Sequence, residues 1–200
     1  MIRKHTRLSL LALALLFLFI PFKTHAQDFA VKSNLLYDAT ATVNIGAELR
    51  LSRKWSFDLS GNMNFWSFSE GKRWKHWLLQ PEARYWFCRS MGGHFLAFHA
   101  LGGQYNVGHV DLDFLSFLGK NFKEFKDNRH QGWYGGAGVG YGYSWLLSRH
   151  WNLEAEIAVG YIYTRYDVYR CAGCGKKIAS DLTHHYFGPT KAALSIVYVF

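Results

Sequence analysis

The residues best suited to chemistry lie near the C-terminal end of the chain. Cys171 and Cys174 form a CxxC motif, and His184 and His185 follow it. A zinc site needs four ligands in a tetrahedral arrangement, and adjacent histidines after a CxxC are not the usual finger spacing. In an oxidising compartment the spacing favours a local disulfide over a metal site or two unpaired thiols. Such a bond closes a very short loop and adds little global stability.

The sequence shows no pattern typical of redox or nucleophilic catalysis. A catalytic CxxC normally opens a helix in a thioredoxin-like unit, and no such pattern surrounds this one. The His-x-Ser triplet of lipid-deacylating barrels does not occur, and Ser60, Ser144 and Ser195 have no identifiable histidine partner. His99 is expected to be a packed side chain. We therefore expect no enzyme and no cofactor, and a lipid-modifying enzyme is the least favoured alternative.

The charged residues alternate with apolar ones over long stretches. Between Trp151 and Tyr163 every odd position is aromatic or aliphatic, whereas Asn152, Glu154 and Glu156 occupy even positions. A period of two indicates a β-strand and not a helix. Applied along the chain, this pattern assigns eight charged residues to the polar face of the strands: Glu48, Arg50, Asp58, Glu82, Arg84, Glu154, Glu156 and Lys191.

Eight strands are predicted, and their connections are of two kinds. The first strand spans 29–39 and ends in a tight bend near Thr40, and the strand 94–106 is ambiguous because both of its faces are apolar. Short turns are expected at 52–54, 89–93 and 148–150, and longer, more polar loops at 67–76, 107–130 and 167–185. The short and long connections fall at opposite ends of the strands. This asymmetry is typical of an eight-stranded antiparallel transmembrane β-barrel, an all-β fold with short periplasmic turns and longer extracellular loops.

The tryptophans support the same fold. One group lies beside the short turns and the other beside the long loops: Trp55, Trp86, Trp145 and Trp151, and Trp66, Trp74, Trp77 and Trp133. Two aromatic belts at opposite strand ends are expected at two membrane–water interfaces. Trp66 and Trp86 depart from the pattern, because their positions in the alternation place them on the inward face.

Lipid offers no hydrogen bonds, so a spanning sheet must close on itself with its apolar face outward. An eight-stranded barrel is just wide enough for side chains to fill it. The five acidic and three basic residues of the polar face therefore predict a paired and packed interior. A narrow pore for small solutes is the alternative, and a soluble, exported, lipocalin-like barrel would reverse the two faces.

Two loop segments could contact partners. The loop 107–130 carries an unusual apolar series. It predicts either a loop folded over the barrel mouth or a surface that docks another protein or the lipid interface: Leu112, Phe114, Phe117, Phe122 and Phe125. In the preceding long loop, Lys72, Arg73 and Lys75 alternate with tryptophans. Basic–aromatic clusters suit an anionic interface, so these residues are predicted to contact lipopolysaccharide phosphates.

The N-terminus predicts export. Basic residues precede an apolar run that ends near Phe22, and Thr24-His25-Ala26 has small residues at the outer positions of a cleavage site. Residues 1–26 are therefore expected to be a signal peptide and residues 27–200 the barrel domain, located in the bacterial outer membrane. Membrane lipids and lipopolysaccharide are the expected partners. Nucleic acid is not expected to bind an exported chain, although the full chain has a formal net charge of +9.

Three stretches carry a resemblance to a family. These are KSNLLYDATATVNIGAEL (32–49), WKHWLLQPEARYWFC (74–88) and GGQYNVG (102–108). They resemble an uncharacterised family of small bacterial outer-membrane barrels, defined by a domain of unknown function and often associated with fimbrillin-type pilus loci. The similarity covers nearly the whole mature chain and implies a role in surface assembly or adhesion, with a pilus or other surface protein as partner. It supplies no catalytic residues.

Overall fold

The computed structural model describes residues 29–66, 73–108, 128–170 and 175–200. These residues form eight strands and one five-residue helix, in the following order along the chain: β1 Phe29–Asn34, α1 Leu35–Ala39, β2 Val43–Arg50, β3 Trp55–Asn64, β4 Arg73–Trp86, β5 Gly93–Gly108, β6 Arg129–Leu146, β7 Trp151–Tyr169 and β8 Lys177–Val199.

The strands form a single closed ring. Each strand pairs antiparallel with the next, and β1 pairs antiparallel with β8. In the closing pair Val31 lies opposite Tyr198. Along the five residue pairs of this ladder, closure satisfies backbone groups that an open sheet would leave at its edges. The predicted all-β fold of eight antiparallel strands is therefore confirmed.

The two ends of the ring differ in their connections. Residues 51–54, 87–92 and 147–150 connect strands at one end, which we call the short-turn end. The segments 35–42, 65–72, 109–128 and 170–176 connect strands at the other, the long-loop end. The strands lengthen from 6 residues in β1 to 23 in β8, so the wall rises highest along the β7–β8 hairpin.

The prediction that the first strand reaches Ala39 is wrong. β1 ends at Asn34, whose side-chain oxygen accepts a hydrogen bond from the Leu36 backbone N–H at 3.1 Å. This is the capping arrangement that starts a helix, and α1 follows. Alternating apolar residues therefore do not extend a strand past an asparagine that can cap a helix.

The long loop predicted at 167–185 is also largely wrong. β7 continues to Tyr169 and β8 begins at Lys177, and their ladder includes Tyr163 opposite His185 and Tyr169 opposite Lys177. The segment is polar, but a strand ladder needs backbone partners and not apolar side chains. Register irregularities near Tyr166 and Val168 accommodate the extended hairpin.

The ring has a polar interior and an apolar exterior. In the described residues, 18 polar or charged side chains are buried against 10 apolar ones. Large apolar side chains lie exposed on the outside, among them Ile157 at 70% and Val139 at 52%. The ambiguous strand β5 follows the same rule, with Phe95, Ala97 and His99 inside and Leu96 and Phe98 outside. A water-soluble barrel has the opposite distribution.

Apolar side chains close the short-turn end of the interior. Ala30, Met91, Val197 and Val199 form one buried group there. Met91 adopts a positive φ of 66° in the β4–β5 turn, and its carbonyl accepts a hydrogen bond from Asn152 Nδ2 at 2.9 Å. This contact joins the turn to β7.

Candidate functional site

Eight ionisable side chains meet inside the ring, and we call them the charge cluster: Lys32, Glu48, Asp58, Glu82, Arg84, Glu154, Glu156 and Lys191. The strand register brings them together. Glu48, Asp58 and Glu82 lie opposite one another on adjacent strands, in a row that continues to His99. Because these strands alternate in phase, their carboxylates all point inward.

Arg84 is the centre of the cluster. Its guanidinium, on a side chain 1% exposed, contacts four carboxylates. The distances are 2.5 Å from Nε to Glu82, 3.0 and 2.8 Å from Nη1 to Glu48 and Glu154, and 2.9 Å from Nη2 to Glu156. The planar fork of arginine can satisfy several acceptors at once, which an ammonium group cannot do in the same geometry.

Two lysines complete the pairing from opposite sides. Lys32 Nζ lies 2.5 Å from Glu48, 2.9 Å from Asp58 and 3.4 Å from Glu154. Gly46 lies opposite Lys32, and a Cβ there would come within 2.7 Å of the lysine side chain, so the glycine makes room for it.

Lys191 Nζ lies 2.7 Å from Glu82 and 2.9 Å from Glu156. Each of the five carboxylates therefore contacts at least one of the three cations. A buried charge that lacked such a partner would be very costly.

Buried aromatic side chains pack against the charge cluster. The Arg84 guanidinium lies 4.6 Å from the centre of the Phe95 ring, and Phe95 packs against Trp86 at 4.6 Å between ring centres. Trp86 Nε1 donates to Ser56 Oγ at 2.7 Å, and Ser56 Oγ donates to Glu48 at 2.6 Å. Hydrogen bonds and ring contacts therefore join the charge cluster to a second buried apolar group, formed by Trp86, Phe95 and Ala97.

The interior around the cluster leaves little space. The cavity lined by Lys32, Tyr37 and Asp58 has a volume of about 30 Å³, enough for one or two water molecules. Chemically, the arrangement can lock the strands in one register and fill the ring. In the described residues it offers no space for a substrate.

The structure brings together seven of the eight charged residues predicted for the interior. The exception is Arg50, which lines a separate cavity of about 340 Å³ at the short-turn end with Arg89 and Arg149. Arg50 has the same parity as Glu48 in β2 but lies nearer the strand end. Its membership of one network with the other seven residues stays a prediction.

Sequence reasoning missed Lys32. The available signal was the alternation in β1, which places Lys32 on the same face as Ala30 and on the other face from Val31. In the structure Ala30 and Lys32 are both buried. Trp86, assigned to the inward face, is fully buried. Trp66 lies beyond the end of β3, is 51% exposed and donates from its indole to the Ala41 carbonyl at 2.7 Å.

Several predicted site residues lie outside the described residues. These are the cysteines Cys171 and Cys174, Lys72, and the loop residues Leu112, Phe114, Phe117, Phe122 and Phe125. Arg73 begins β4 instead of lying in a loop, and Lys75 is half-buried. Cys88 is exposed with a free thiol.

Two other features were sought among the described residues, a metal-binding cluster and a membrane-spanning helix. No group of three or more histidine, cysteine or acidic side chains there could hold a metal ion. No helix among these residues is long and apolar enough to cross a membrane.

The fold and the charge cluster define an all-β protein built as one closed ring of eight antiparallel strands around an ionic interior. The model of the family described as "Protein of unknown function (DUF3575)" matches residues 11–200, and the chain belongs to that family. This confirms the resemblance to a family defined by a domain of unknown function. None of the curated proteins matches the chain.

Proposed function

We propose that this chain is a non-enzymatic transmembrane β-barrel of the bacterial outer membrane, which holds its long-loop end at the cell surface. The observation that carries the proposal is the inverted polarity of the ring, with ion pairs inside and exposed apolar side chains outside. A closed sheet of this polarity suits hydrocarbon, because ring closure pairs backbone groups that an open edge would leave exposed, here between 30–34 of β1 and 195–199 of β8. In water the same exterior would be an aggregation hazard.

The spacing of outward aromatic residues supports the proposal. On β6, Trp133 and Trp145 are exposed and twelve residues apart, and on β7 the same interval separates Trp151 from Tyr163. At a rise of about 3.3 Å per residue, this interval covers roughly 40 Å of strand. A strand tilt of about 40° reduces that to roughly 30 Å along the axis, which matches the hydrocarbon thickness of about 30 Å.

The packed interior favours a structural or display role over a pore. Purified full-length protein is expected to insert into planar phospholipid bilayers without conducting, because the charge cluster leaves a cavity of only about 30 Å³. The measurement is single-channel current, and insertion is verified by resistance of the inserted protein to carbonate extraction. Stable conductance steps would establish the pore instead, and failure to insert would overturn the membrane assignment.

Display would act through the long-loop end, with a pilus or other surface protein as partner. Gly108 and Arg129 pair at this end, so the segment between them begins and ends at the rim of the ring. Its apolar and lysine residues support a docking role. Deleting 111–126 is therefore expected to abolish partner capture in crosslinking pull-downs from intact cells. The control is the far-ultraviolet strand signal, which the deletion should preserve; unchanged capture would contradict docking by this segment.

A further inference from the structure

A cleft of about 610 Å³ lies near the long-loop end of the ring, and most of its lining side chains point outward. We call it the aromatic cleft and define it by Trp77, Gln104, Gln131, Trp133, Arg165 and Asp181. Trp77 and Trp133 are 43% and 46% exposed. The cleft is therefore separate from the charge cluster and faces whatever surrounds the ring.

The strand register arranges two indoles around an amide. Trp77, Gln104 and Trp133 lie opposite one another on β4, β5 and β6. Adjacent strands are about 4.8 Å apart, so the backbone positions of the two tryptophans are roughly 10 Å apart. Trp77 Nε1 donates to Gln104 Oε1 at 3.3 Å. The next row toward the rim places Asn106 opposite Gln131, which adds two further amides.

Four of the charged groups beside these amides form two ion pairs. Arg165 Nη2 lies 2.9 Å from Asp181 Oδ1, and Lys177 Nζ lies 2.7 Å from Asp167 Oδ2. The hydrogen bond from Lys177 lowers the pKa of the Asp167 carboxyl below its ordinary value, so this pair stays ionised in mildly acidic solution. Cations already held by carboxylates are poor receptors for phosphate. Lys75, half-buried in the lining, is the one lysine or arginine of the described cleft outside these two pairs. With a single such cation among several amides and two indoles, the cleft suits a mostly uncharged ligand with many hydroxyl groups.

We propose that the aromatic cleft binds the saccharide of a membrane glycolipid. The C–H face of a sugar ring can stack on an exposed indole, while its hydroxyls exchange hydrogen bonds with amide and carboxylate groups. Pockets that combine aromatic walls with a few converging polar groups are typical ligand sites. The lipid part of the proposal rests on the proposed function. In a membrane-spanning ring, an outward-facing cleft at the aromatic belt of the long-loop end lies at the level of the lipid headgroups.

The test is isothermal titration of protein folded in detergent micelles. The probes are rough-type lipopolysaccharide, its deacylated and dephosphorylated core oligosaccharide, and inorganic phosphate. We expect both saccharide probes to bind and phosphate not to compete. Replacing both Trp77 and Trp133 by alanine is expected to weaken binding at least tenfold. Gln131→Ala truncates an exposed side chain and is expected to weaken binding about fivefold, as the loss of one hydrogen bond implies.

The matched control replaces Trp145 and Trp151, which lie at the short-turn end. Equal weakening by the two double variants would overturn the proposal, because both would then act through general anchoring. Competition by phosphate would also overturn it, as would binding of lipopolysaccharide without binding of the free oligosaccharide. Titration in micelles does not depend on where the ring resides in the cell. A negative result would therefore overturn the saccharide site without contradicting the membrane assignment, which bilayer insertion tests separately.

Discussion

Arg84→Met is expected to destabilise the folded ring by about 3–5 kcal/mol, the cost of removing one partner from a buried ion-pair network. The guanidinium contacts four carboxylates, and Lys32 and Lys191 would remain as the only cations of the charge cluster. Methionine preserves much of the side-chain length, so the change isolates the lost charge and hydrogen bonds from the loss of packing. The measurement is the free energy of unfolding in phospholipid vesicles, from denaturant titration of tryptophan fluorescence.

The control is Arg53→Met, because Arg53 is exposed in the turn between β2 and β3. Arg53→Met should change the free energy of unfolding by no more than about 0.5 kcal/mol, as most surface substitutions do. If Arg84→Met does not fold, Arg84→Lys still tests the argument. Lysine keeps the charge but loses the planar fork. We therefore expect the free energy of unfolding of Arg84→Lys to lie between those of wild type and Arg84→Met. Equal stability of the Arg84 and Arg53 variants would show that the cluster does not hold the ring together.

The period of two explains why so much of the interior could be predicted. A one-residue shift in a strand moves its whole side-chain set to the other face, so Glu154 and Glu156 identify the inward face of β7 without knowledge of the neighbouring strands. β1 has no such redundancy, because it holds six residues and a single charge, Lys32. Its partners Glu48, Asp58 and Glu154 come from three other strands. That convergence depends on ring closure and register, which one segment cannot reveal.

The ends of the strands were harder to predict than their faces. Helix α1 depends on one local hydrogen bond from the Leu36 N–H to Asn34, which competes with continuation of β1. The β7–β8 extension is polar, which predicts a loop, yet ion pairs such as Arg165 with Asp181 join its two strands. The aromatic cleft was missed for a related reason. Trp77 and Trp133 are far apart in sequence, and only the register places Gln104 between them.

Ile157→Arg is expected to destabilise the ring by about 2–4 kcal/mol in phospholipid vesicles, the cost of a basic residue on the lipid face at the bilayer midplane. Ile157 is 70% exposed and lies six residues from both Trp151 and Tyr163, midway between the two aromatic belts on β7. Its depth thus follows from the membrane assignment itself. The measurement is the free energy of unfolding in vesicles of fixed lipid composition.

Leu147→Arg is the matched control, since Leu147 is also an exposed aliphatic residue, at 59%, but lies in the turn after β6. Near the interface the same substitution should cost about 0–1 kcal/mol. In water neither position would be penalised, because arginine on an exposed surface is well hydrated and surface substitutions have small effects. A large difference between the two variants therefore requires a hydrocarbon environment around the middle of the ring. Equal and small effects would mean that Ile157 does not face hydrocarbon in the vesicles, which would contradict the membrane assignment.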